Sequence, residues 1–374
     1  MTVRRARTSS GSWPIENVAA VRAARQTRRR FLAGLAAVSA GAVAWTASPH
    51  AALAQEPLPG KLALPRARDI ALVRPDGQDD RTILSLQPGE FVADVALSPD
   101  GSRVAFGLFT ARTGDGPGGS DIIVAAAEPG AAHTMVAPRD RPGMLLAAPY
   151  WSPDGSGLIF EAVGLGANNQ PSISAEWINL DGSGRRTVAM NARYPSISPD
   201  GQKVVYTLAR QTGDALYEQP LAGGEAREII PEGQFLVISY PRYSPDGSQI
   251  AFAGVGDLIV PGPSGLPLRP EPAASPTMPR LSPTLPTLVT VPGVDSWRGV
   301  AAHGFPAEPW VVPATGGEAR QLAPLPIDDA AIAWSPDGSV VASSGASGIF
   351  MVSLADGAPL RVSEMGSFGA IDWR

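Results

Sequence analysis

The chain has 374 residues and a formal net charge of −5, enough length for one large domain or two ordinary ones. It contains no cysteine, which excludes disulfides, thiolate metal sites and cysteine nucleophiles. Its 41 glycines and 38 prolines favour many turns over long helices, and a hydrophobic content of 44% is sufficient for a sizeable core.

Residues 1–54 differ in composition from the rest of the chain. They contain eight arginines and one acid, and an uncharged apolar run occupies residues 31–45. The junction T-R-R-R-F-L-A at 27–33 resembles the twin-arginine export signature, and A-L-A at 52–54 fits a cleavage site. We therefore predict a twin-arginine-type signal that is cleaved after Ala54, with an uncleaved membrane anchor as the alternative.

Loss of this signal would leave residues 55–374 with 22 basic and 34 acidic side chains, a formal charge of −12. Such a surface repels polyanions, so nucleic acid is not expected as a partner. The mature protein is expected outside the cytoplasm, in the periplasm, at the cell surface or secreted. We expect it to be a monomer that touches a membrane only if the signal segment is retained.

The tetrapeptide S-P-D-G occurs five times, with its serines at positions 98, 152, 198, 244 and 335. The spacings of 54, 46, 46 and 91 residues indicate a repeat architecture. Each copy lies between two short β-rich runs, and a third and a fourth run follow. Four antiparallel strands per unit at this period predict the blades of an all-β propeller.

The aspartates of S-P-D-G are predicted to be structural. Proline supplies the φ of a type I turn, glycine accepts a positive φ, and the carboxylate can accept nearby backbone N–H groups. Five copies of one catalytic acid spread around a ring would make little chemical sense. This interpretation applies to Asp100, Asp154, Asp200, Asp246 and Asp337.

The longer repeat W-S-P-D-G-S-x-[VI]-A-x, followed by a strand and a short R-x-L-like run, resembles the TolB-type propeller repeat. Examples are W-S-P-D-G-S-G-L-I-F at 151–160 and Y-S-P-D-G-S-Q-I-A-F at 243–252. The similarity covers about residues 60–374 and implies a propeller fold. TolB carries a separate domain ahead of its propeller, whereas here only residues 55–59 precede the first predicted strand, so the Tol-system role is not carried over.

Six blades are predicted, with seven as the alternative. Three runs between residues 60 and 86 supply three strands of one blade, and the run F-G-A-I-D-W-R at 368–374 supplies the fourth, which would close the ring. The step of 91 residues leaves room for a seventh blade, but ten prolines within 261–292 argue against regular strands there. We therefore predict a proline-rich excursion, 261–308, inside one blade of the domain 55–374.

Motifs for catalysis are missing from the sequence. It has no G-x-S-x-G nucleophile elbow and no paired-histidine metal spacing, so no catalytic residue, metal or cofactor is predicted. The end of the excursion combines aromatic and charged side chains, which suits a binding surface or a loop packed on its own scaffold. The candidate binding residues are Trp297, Arg298, His303, Phe305 and Trp310.

These patterns favour an exported, non-enzymatic propeller that binds a protein, peptide or glycan, on the face opposite the S-P-D-G turns. The alternative is a propeller enzyme, a lyase or hydrolase that uses channel carboxylates with or without a bound cation. Acids that converge with His303 at the channel mouth would favour the enzyme. A flat aromatic patch would favour the binder.

Overall fold

The computed structural model describes residues 58–111, 118–165, 170–256, 260–261, 267–268, 306–325, 327–328 and 330–374. Within these residues the chain forms strands and turns but no helix, and consequently no helix that could span a bilayer. One compact unit extends over Pro57–Arg374. The predicted signal, most of the excursion and the candidate residues Trp297, Arg298, His303 and Phe305 lie outside the described residues.

Four of the sheets contain four antiparallel strands each. Sheet A has the order β26-β1-β2-β3 and contains β1 (Leu62–Arg66), β2 (Asp69–Val73), β3 (Arg81–Ser85) and β26 (Asp372–Trp373). Sheet B contains β4 (Glu90–Leu97), β5 (Arg103–Thr110), β6 (Gly119–Ala126) and β7 (His133–Ala137). Sheet C contains β8 (Leu145–Trp151), β9 (Gly157–Leu165), β10 (Pro171–Asn179) and β11 (Arg186–Met190). Sheet E contains β22 (Ala331–Trp334), β23 (Val340–Gly345), β24 (Gly348–Ser353) and β25 (Pro359–Ser363).

Sheet D is twice as large because one long strand belongs to two halves of it. Its strands are β12 (Ala192–Ile197), β13 (Lys203–Arg210), β14 (Gly213–Pro220), β15 (Arg227–Tyr243), β16 (Gln249–Gly256), β19 (Pro306–Pro313), β20 (Arg320–Gln321) and β21 (Ile327–Asp328). The beginning of the 17-residue β15 pairs with β14 and its end pairs with β16. β16 pairs directly with β19, and the short strands β17 (Val260–Pro261) and β18 (Pro267–Leu268) pair with each other.

The C-terminal strand completes the N-terminal sheet. Leu62 lies opposite Trp373 in the antiparallel pairing of β1 with β26. The Trp373 side chain is fully buried, and its indole N–H donates to the Pro59 carbonyl oxygen at 2.8 Å. The same indole packs in a core formed by sheets A and E. Strands β1 and β26, which are far apart in sequence, therefore stabilise sheet A together.

The strand that leads into each S-P-D-G turn is called the first strand of its unit, and β26 is counted as the first strand of sheet A. Each first strand contacts the first strand of the next unit. β4 contacts β8, β8 contacts β12, β12 contacts β15, β15 contacts β22, β22 contacts β26, and β26 contacts β4. The hydrophobic core fills the spaces between neighbouring sheets. Trp151 and Phe160 of sheet C, for example, pack against Ala105 and Ile122 of sheet B.

The S-P-D-G turns are held by their own side chains. Asp337 accepts hydrogen bonds from the Ser335 hydroxyl at 2.6 Å and from the Ser339 N–H at 3.0 Å, while Gly338 has a φ of 73°. The other four turns repeat both aspartate contacts. In every turn the serine hydroxyl is the main cause of a lowered aspartate pKa, and the pKa of Asp100 falls to about 2.

Consecutive S-P-D-G turns lie side by side. A β-carbon added to the glycine of one turn would lie 3.5–3.9 Å from the proline ring of the preceding turn, as seen for Gly155, Gly201, Gly247 and Gly338. We call this end of the sheets the turn face. Because strand direction alternates, the loops between second and third strands and the links between sheets lie at the other end, called the link face.

Candidate functional site

Polar side chains of the first strands converge at two levels. Four residues ahead of each turn serine stand Asp94, Ala148, Tyr194, Tyr240 and Ala331, and Ala370 holds the matching position beside β26. We call this set the tyrosine level. Two residues ahead stand Ala96, Tyr150, Ser196, Arg242 and Ala333, with Asp372 at the matching position. This second set, nearer to the turn face, is called the arginine level.

Three first strands are bulged at the tyrosine level. The pairing register shifts between Ala147 and Tyr150, between Arg193 and Ser196, and between Ser239 and Arg242. Within these bulges Ala148, Tyr194 and Tyr240 have φ values of 48°, 50° and 51°. A left-handed φ is uncommon for alanine or tyrosine, so the surrounding contacts must hold it in place. A bulge also leaves backbone N–H groups without a partner in the sheet, and other groups must accept them.

Buried carboxylates accept those N–H groups. Asp94, 6% exposed, accepts the Ala370 N–H at 2.7 Å and the Ala148 N–H at 3.0 Å, so one side chain of sheet B connects to chain segments of sheets A and C. Glu161 Oε2 of sheet C accepts the Tyr194 N–H of sheet D at 2.9 Å. These carboxylates therefore fasten neighbouring sheets to one another.

Two further acids make the same kind of contact. Asp372 Oδ2 of sheet A accepts the Leu97 N–H of sheet B at 2.8 Å. Asp214 Oδ2 on β14 accepts the Ile238 N–H on β15 at 2.9 Å, within sheet D. The four acids Asp94, Glu161, Asp214 and Asp372 thus all accept backbone N–H groups at or near the first strands. Together with Tyr194, Tyr240 and Arg193 they are called the central cluster.

Aromatic side chains fill the centre of the tyrosine level. The ring centroids of Tyr194 and Tyr240 are 4.6 Å apart, and the Tyr240 hydroxyl reaches Asp94 Oδ1 at 3.3 Å. In the series of first-strand contacts, β15 and β4 are three steps apart in either direction. The Tyr240 side chain on β15 therefore reaches a carboxylate of β4 that is three first-strand contacts away. Arg193 covers Tyr194, with its guanidinium 4.8 Å from the ring centroid.

Burial raises the pKa values of two carboxyl groups and two phenols in the central cluster. Glu161 is 1% exposed, and desolvation raises the pKa of its carboxyl group, although the positive charge of Arg193 opposes the shift. Burial likewise raises the pKa of Asp214, again opposed by Arg193. The pKa values of Tyr194 and Tyr240 rise for the same reason, so both phenols remain neutral at physiological pH.

The carboxylates of the central cluster connect chain segments of different sheets and of different strands. Its carboxylates are engaged by backbone N–H groups, and in the described part of the chain no group of three or more His, Cys, Asp or Glu side chains is placed to hold a metal ion. Glu161 Oε1 is the exception among these carboxylate oxygens, because it is buried without a hydrogen-bond partner in the described residues.

Of the candidate binding residues, only Trp310 lies within the described structure. It stands on β19, is half-buried, and packs edge-on against Phe235 with 5.0 Å between ring centroids. The five turn aspartates lie on the turn face, far along the strands from the link face. The structure therefore does not bring the described candidates into one site.

Sequence analysis did not identify the central cluster, although a signal for it was present. Aligned on the turn serine, the position four residues earlier is alanine in two of the five repeats but Asp94, Tyr194 or Tyr240 in the others. The position two residues earlier includes Tyr150 and Arg242 among small side chains. Polar residues that interrupt a repeated small position would have indicated a shared internal site.

Large apolar side chains are exposed mainly on the link face. Five of the seven exposed in the described residues lie at the ends of second or fourth strands, in links between sheets or in the middle of β15, where it passes from one half of sheet D to the other: Leu165, Met190, Leu236, Met365 and Phe368, which are 46–60% exposed. The remaining two, Met135 and Leu360, lie on the fourth strands β7 and β25. These exposed apolar side chains belong to several different units and make the link face the candidate contact surface among the described residues.

No known family model matches the chain, and no curated protein is similar to it in sequence. Among solved structures, TolB from Acinetobacter baumannii aligns with a TM-score of 0.58 and 16% identity over 85% of this chain and 67% of that one. A candidate TolB from Agrobacterium tumefaciens aligns with a TM-score of 0.50 and 14% identity over 75% of this chain and 83% of that one.

An oligogalacturonate lyase in complex with manganese aligns with a TM-score of 0.46 and 12% identity, over 79% of this chain and 70% of the lyase. That likeness is too low to support an argument about activity. A shared fold does not imply a shared ligand or role. What the two TolB structures and the all-antiparallel sheets show together is the fold, a TolB-like β-propeller.

Proposed function

We propose that the protein is an exported, non-enzymatic, six-bladed propeller that binds a protein, peptide or glycan through its link face. Sheets A, B, C and E supply one blade each, and the two halves of sheet D supply two. The cycle of first-strand contacts, in which β26 returns to β4, supports a closed ring. Pairing of β26 with β1 supports closure by one blade built from both ends of the described chain.

The proposal of binding rests on the exposed apolar side chains of the link face. A partner that covers Met190, Leu236 and Met365 would remove from water side chains that are 46–60% exposed in the free protein. The excursion also leaves from this face, because it begins after β16 and returns at β19. The central carboxylates, engaged by backbone N–H groups, give the enzyme alternative no comparable support.

We further propose that the mature protein acts outside the cytoplasm after twin-arginine-type export. The arginine-rich residues 1–30, the mild apolar run and A-L-A at 52–54 motivate this proposal. N-terminal sequencing of the secreted protein is expected to begin at Gln55. A membrane-bound product that begins near Met1 would instead identify the segment as an anchor.

The binding proposal is tested by capture with the mature chain as bait in an extracytoplasmic fraction. The link-face variant combines Met190→Gln, Leu236→Gln and Met365→Gln. A matched control combines Met135→Gln and Leu360→Gln, which change equally exposed side chains on fourth strands. We expect the link-face variant to lose at least about tenfold in capture, since contact side chains at an interface centre dominate affinity. Equal capture by both variants would place the partner surface elsewhere.

A further inference from the structure

Trp310 lies at the margin of the core between the two halves of sheet D. Ile230 of one half and Phe252 and Val312 of the other are completely buried in this core. Trp310 packs against the same core but is only half-buried. Its ring meets Phe235 edge-on at 5.0 Å, and its Nε1 atom is buried without a hydrogen-bond partner in the described residues. Part of the remaining indole surface is open to solvent.

Glu308 extends this aromatic surface toward the link face. Side chains alternate between the two sides of a strand. Along β19, Trp310 and Val312 pack in the core inside sheet D, whereas Ala307 and Val311 pack in the core shared with sheet E. Glu308, two residues before Trp310, therefore lies on the same side of the sheet as the indole, and it is half-buried as well.

Two side chains of neighbouring strands complete the row. Gln321 on β20 lies opposite Trp310, and its Nε2 donates to Glu308 Oε2 at 2.6 Å. Asp328 on β21 lies opposite Pro306 and is exposed. Because directly opposite residues share one side of a sheet, Asp328 stands on the same side as Glu308. We call Glu308, Trp310, Gln321 and Asp328 the Trp310 strip.

The Trp310 strip contains two acids and no base. Arg320 lies opposite Val311 and hence on the other side of the sheet. Arg210 on β13 stacks over Tyr217, which packs in the core shared with sheet C. Desolvation raises the pKa of Glu308, and no positive charge of the described residues opposes that rise. Within the described ranges neither acid of the strip forms an ion pair.

The surroundings of the strip are acidic or neutral as well. Glu232 is exposed in the segment that leads into Phe235 and adds an acid. Asp214, opposite Phe235, is buried, and the positive charge of Arg193 acts on it. The excursion residues 257–305 hold three arginines and three acids, so their formal sum is zero. The mature chain as a whole carries a formal charge of −12.

A half-exposed indole beside a carboxylate matches the chemistry of an arginine side chain. A guanidinium stacks on an aromatic face and donates two N–H groups to one carboxylate. Glu308 Oε1 has no hydrogen-bond partner among the described residues, so this oxygen is free to accept. Leu236, which is 46% exposed, follows Phe235 and offers apolar contact to the methylene stem of an arginine. Leu236 also belongs to the link-face surface, so the strip continues that surface.

We propose that the partner of the link face is a basic protein or peptide that presents an arginine to the Trp310 strip. The guanidinium stacks on Trp310 and pairs with Glu308, while Asp328 attracts a second basic group at the rim. The inference rests on the proposed function, because it names the chemistry of the partner bound by the same face. A neutral glycan, the other kind of partner considered for this propeller, has no group that these two acids select.

Fluorescence anisotropy tests the proposal with a fluorescein-labelled hexapeptide of alternating alanine and arginine. The matched probe is the same peptide with citrulline, an uncharged isostere, in place of arginine. We expect the mature wild-type chain to bind the arginine peptide at least about tenfold more tightly, because citrulline loses both the charge-assisted hydrogen bonds and the cation–π contact. The measurement is made at physiological ionic strength, where distant exposed charges are screened.

Two variants remove parts of the strip. Glu308→Gln combined with Asp328→Asn, and Trp310→Leu alone, are each expected to weaken binding of the arginine peptide at least about fivefold. The control variant combines Glu225→Gln and Glu318→Gln, which remove the same charge from exposed acids of turn-face loops. It is expected to bind within about twofold of wild type, since its changes are distant and screened.

Equal affinity of the wild-type chain for the two peptides, or binding of neither, would overturn the proposal. This comparison involves no substitution, so it decides even if Trp310→Leu fails to fold. Equal weakening by the carboxylate variant and the control variant would also overturn it, because the attraction would then come from net charge alone. Capture that depends on the link-face apolar side chains without a preference for arginine would keep the proposed function and reject the basic partner. Binding of cellohexaose that Trp310→Leu abolishes, without a preference for arginine, would assign the strip to a neutral glycan instead.

Discussion

Glu161 is a single residue whose buried carboxyl group links protonation to stability. Burial raises its pKa above the ordinary value of 4.5. Well below pH 4.5 this carboxyl group is protonated in both the folded and the unfolded protein, so its titration does not change the free energy of unfolding there. As pH rises, the unfolded chain releases the proton first, and the free energy of unfolding falls until the folded carboxyl group also ionises.

We therefore expect Glu161→Gln to gain stability over wild type as pH rises from 4 to 8. The glutamine oxygen can still accept the Tyr194 N–H, while its side chain does not titrate. Each unit of pKa shift corresponds to about 1.4 kcal/mol in the difference. Urea denaturation at several pH values measures it, with Glu318→Gln, an exposed carboxyl change, as control. A constant difference between the two proteins would mean that burial does not raise the pKa of Glu161.

Residue roles were partly predictable from the sequence. Turn chemistry gives the S-P-D-G aspartates a local task, and Asp337 accepts hydrogen bonds from Ser335 and Ser339 within its own turn. The role of Asp94 could not be read locally, because its partners Ala148 and Ala370 belong to other sheets. Which polar side chains meet across a repeat array depends on packing, which periodicity alone does not specify.

At the scale of elements, β26 is the strand that pairs residues near the C-terminus with β1, the first strand along the described chain. Trp373 is completely buried between sheets A and E. We expect Trp373→Ala to lower the free energy of unfolding by about 3–5 kcal/mol, because a large core side chain is removed. That is a large part of a total stability on the order of 10 kcal/mol. Deletion of 368–374 is expected to have a still larger effect, because it also removes the Ala370 and Asp372 contacts.

Thermal and denaturant unfolding measure both changes, with Leu360→Ala as a control. Leu360 is 65% exposed on β25, so the same kind of truncation there is expected to change stability by less than about 0.5 kcal/mol. An unchanged melting temperature after deletion of 368–374 would show that the pairing of β26 with β1 contributes nothing to stability.

Element boundaries followed the sequence where turn chemistry is strong. The runs on either side of S-P-D-G, such as those ending at Trp334 and beginning at Val340, are strands in the structure. The fusion of two neighbouring strands into the 17-residue β15 was not predicted. Its central sequence, P-E-G-Q-F, contains proline and glycine, which ordinarily indicate a break, and tertiary pairing on both sides of that sequence overrides the local preference.

For the whole molecule, the sequence period of about 46 residues was sufficient to predict an all-β propeller, since this fold class follows from repetition. The stretch between β16 and β19 was harder to interpret, because it breaks the period. Its two ends are adjacent in the structure: Gly254 lies opposite Glu308, and β16 ends at Gly256 where β19 begins at Pro306.

A short turn can therefore replace residues 257–305 without moving either strand. We expect this variant to fold with the same sheets and to be more stable by about 2 kcal/mol, because closing a long loop costs more conformational entropy than closing a short one.

We also expect it to lose capture of the link-face partner, since the excursion holds four of the candidate binding residues: Trp297, Arg298, His303 and Phe305. Circular dichroism, thermal unfolding and capture measure these outcomes. A variant that fails to fold would mean that the excursion contributes a seventh blade, and a folded variant that captures the partner as before would place the partner site on the remaining link-face side chains.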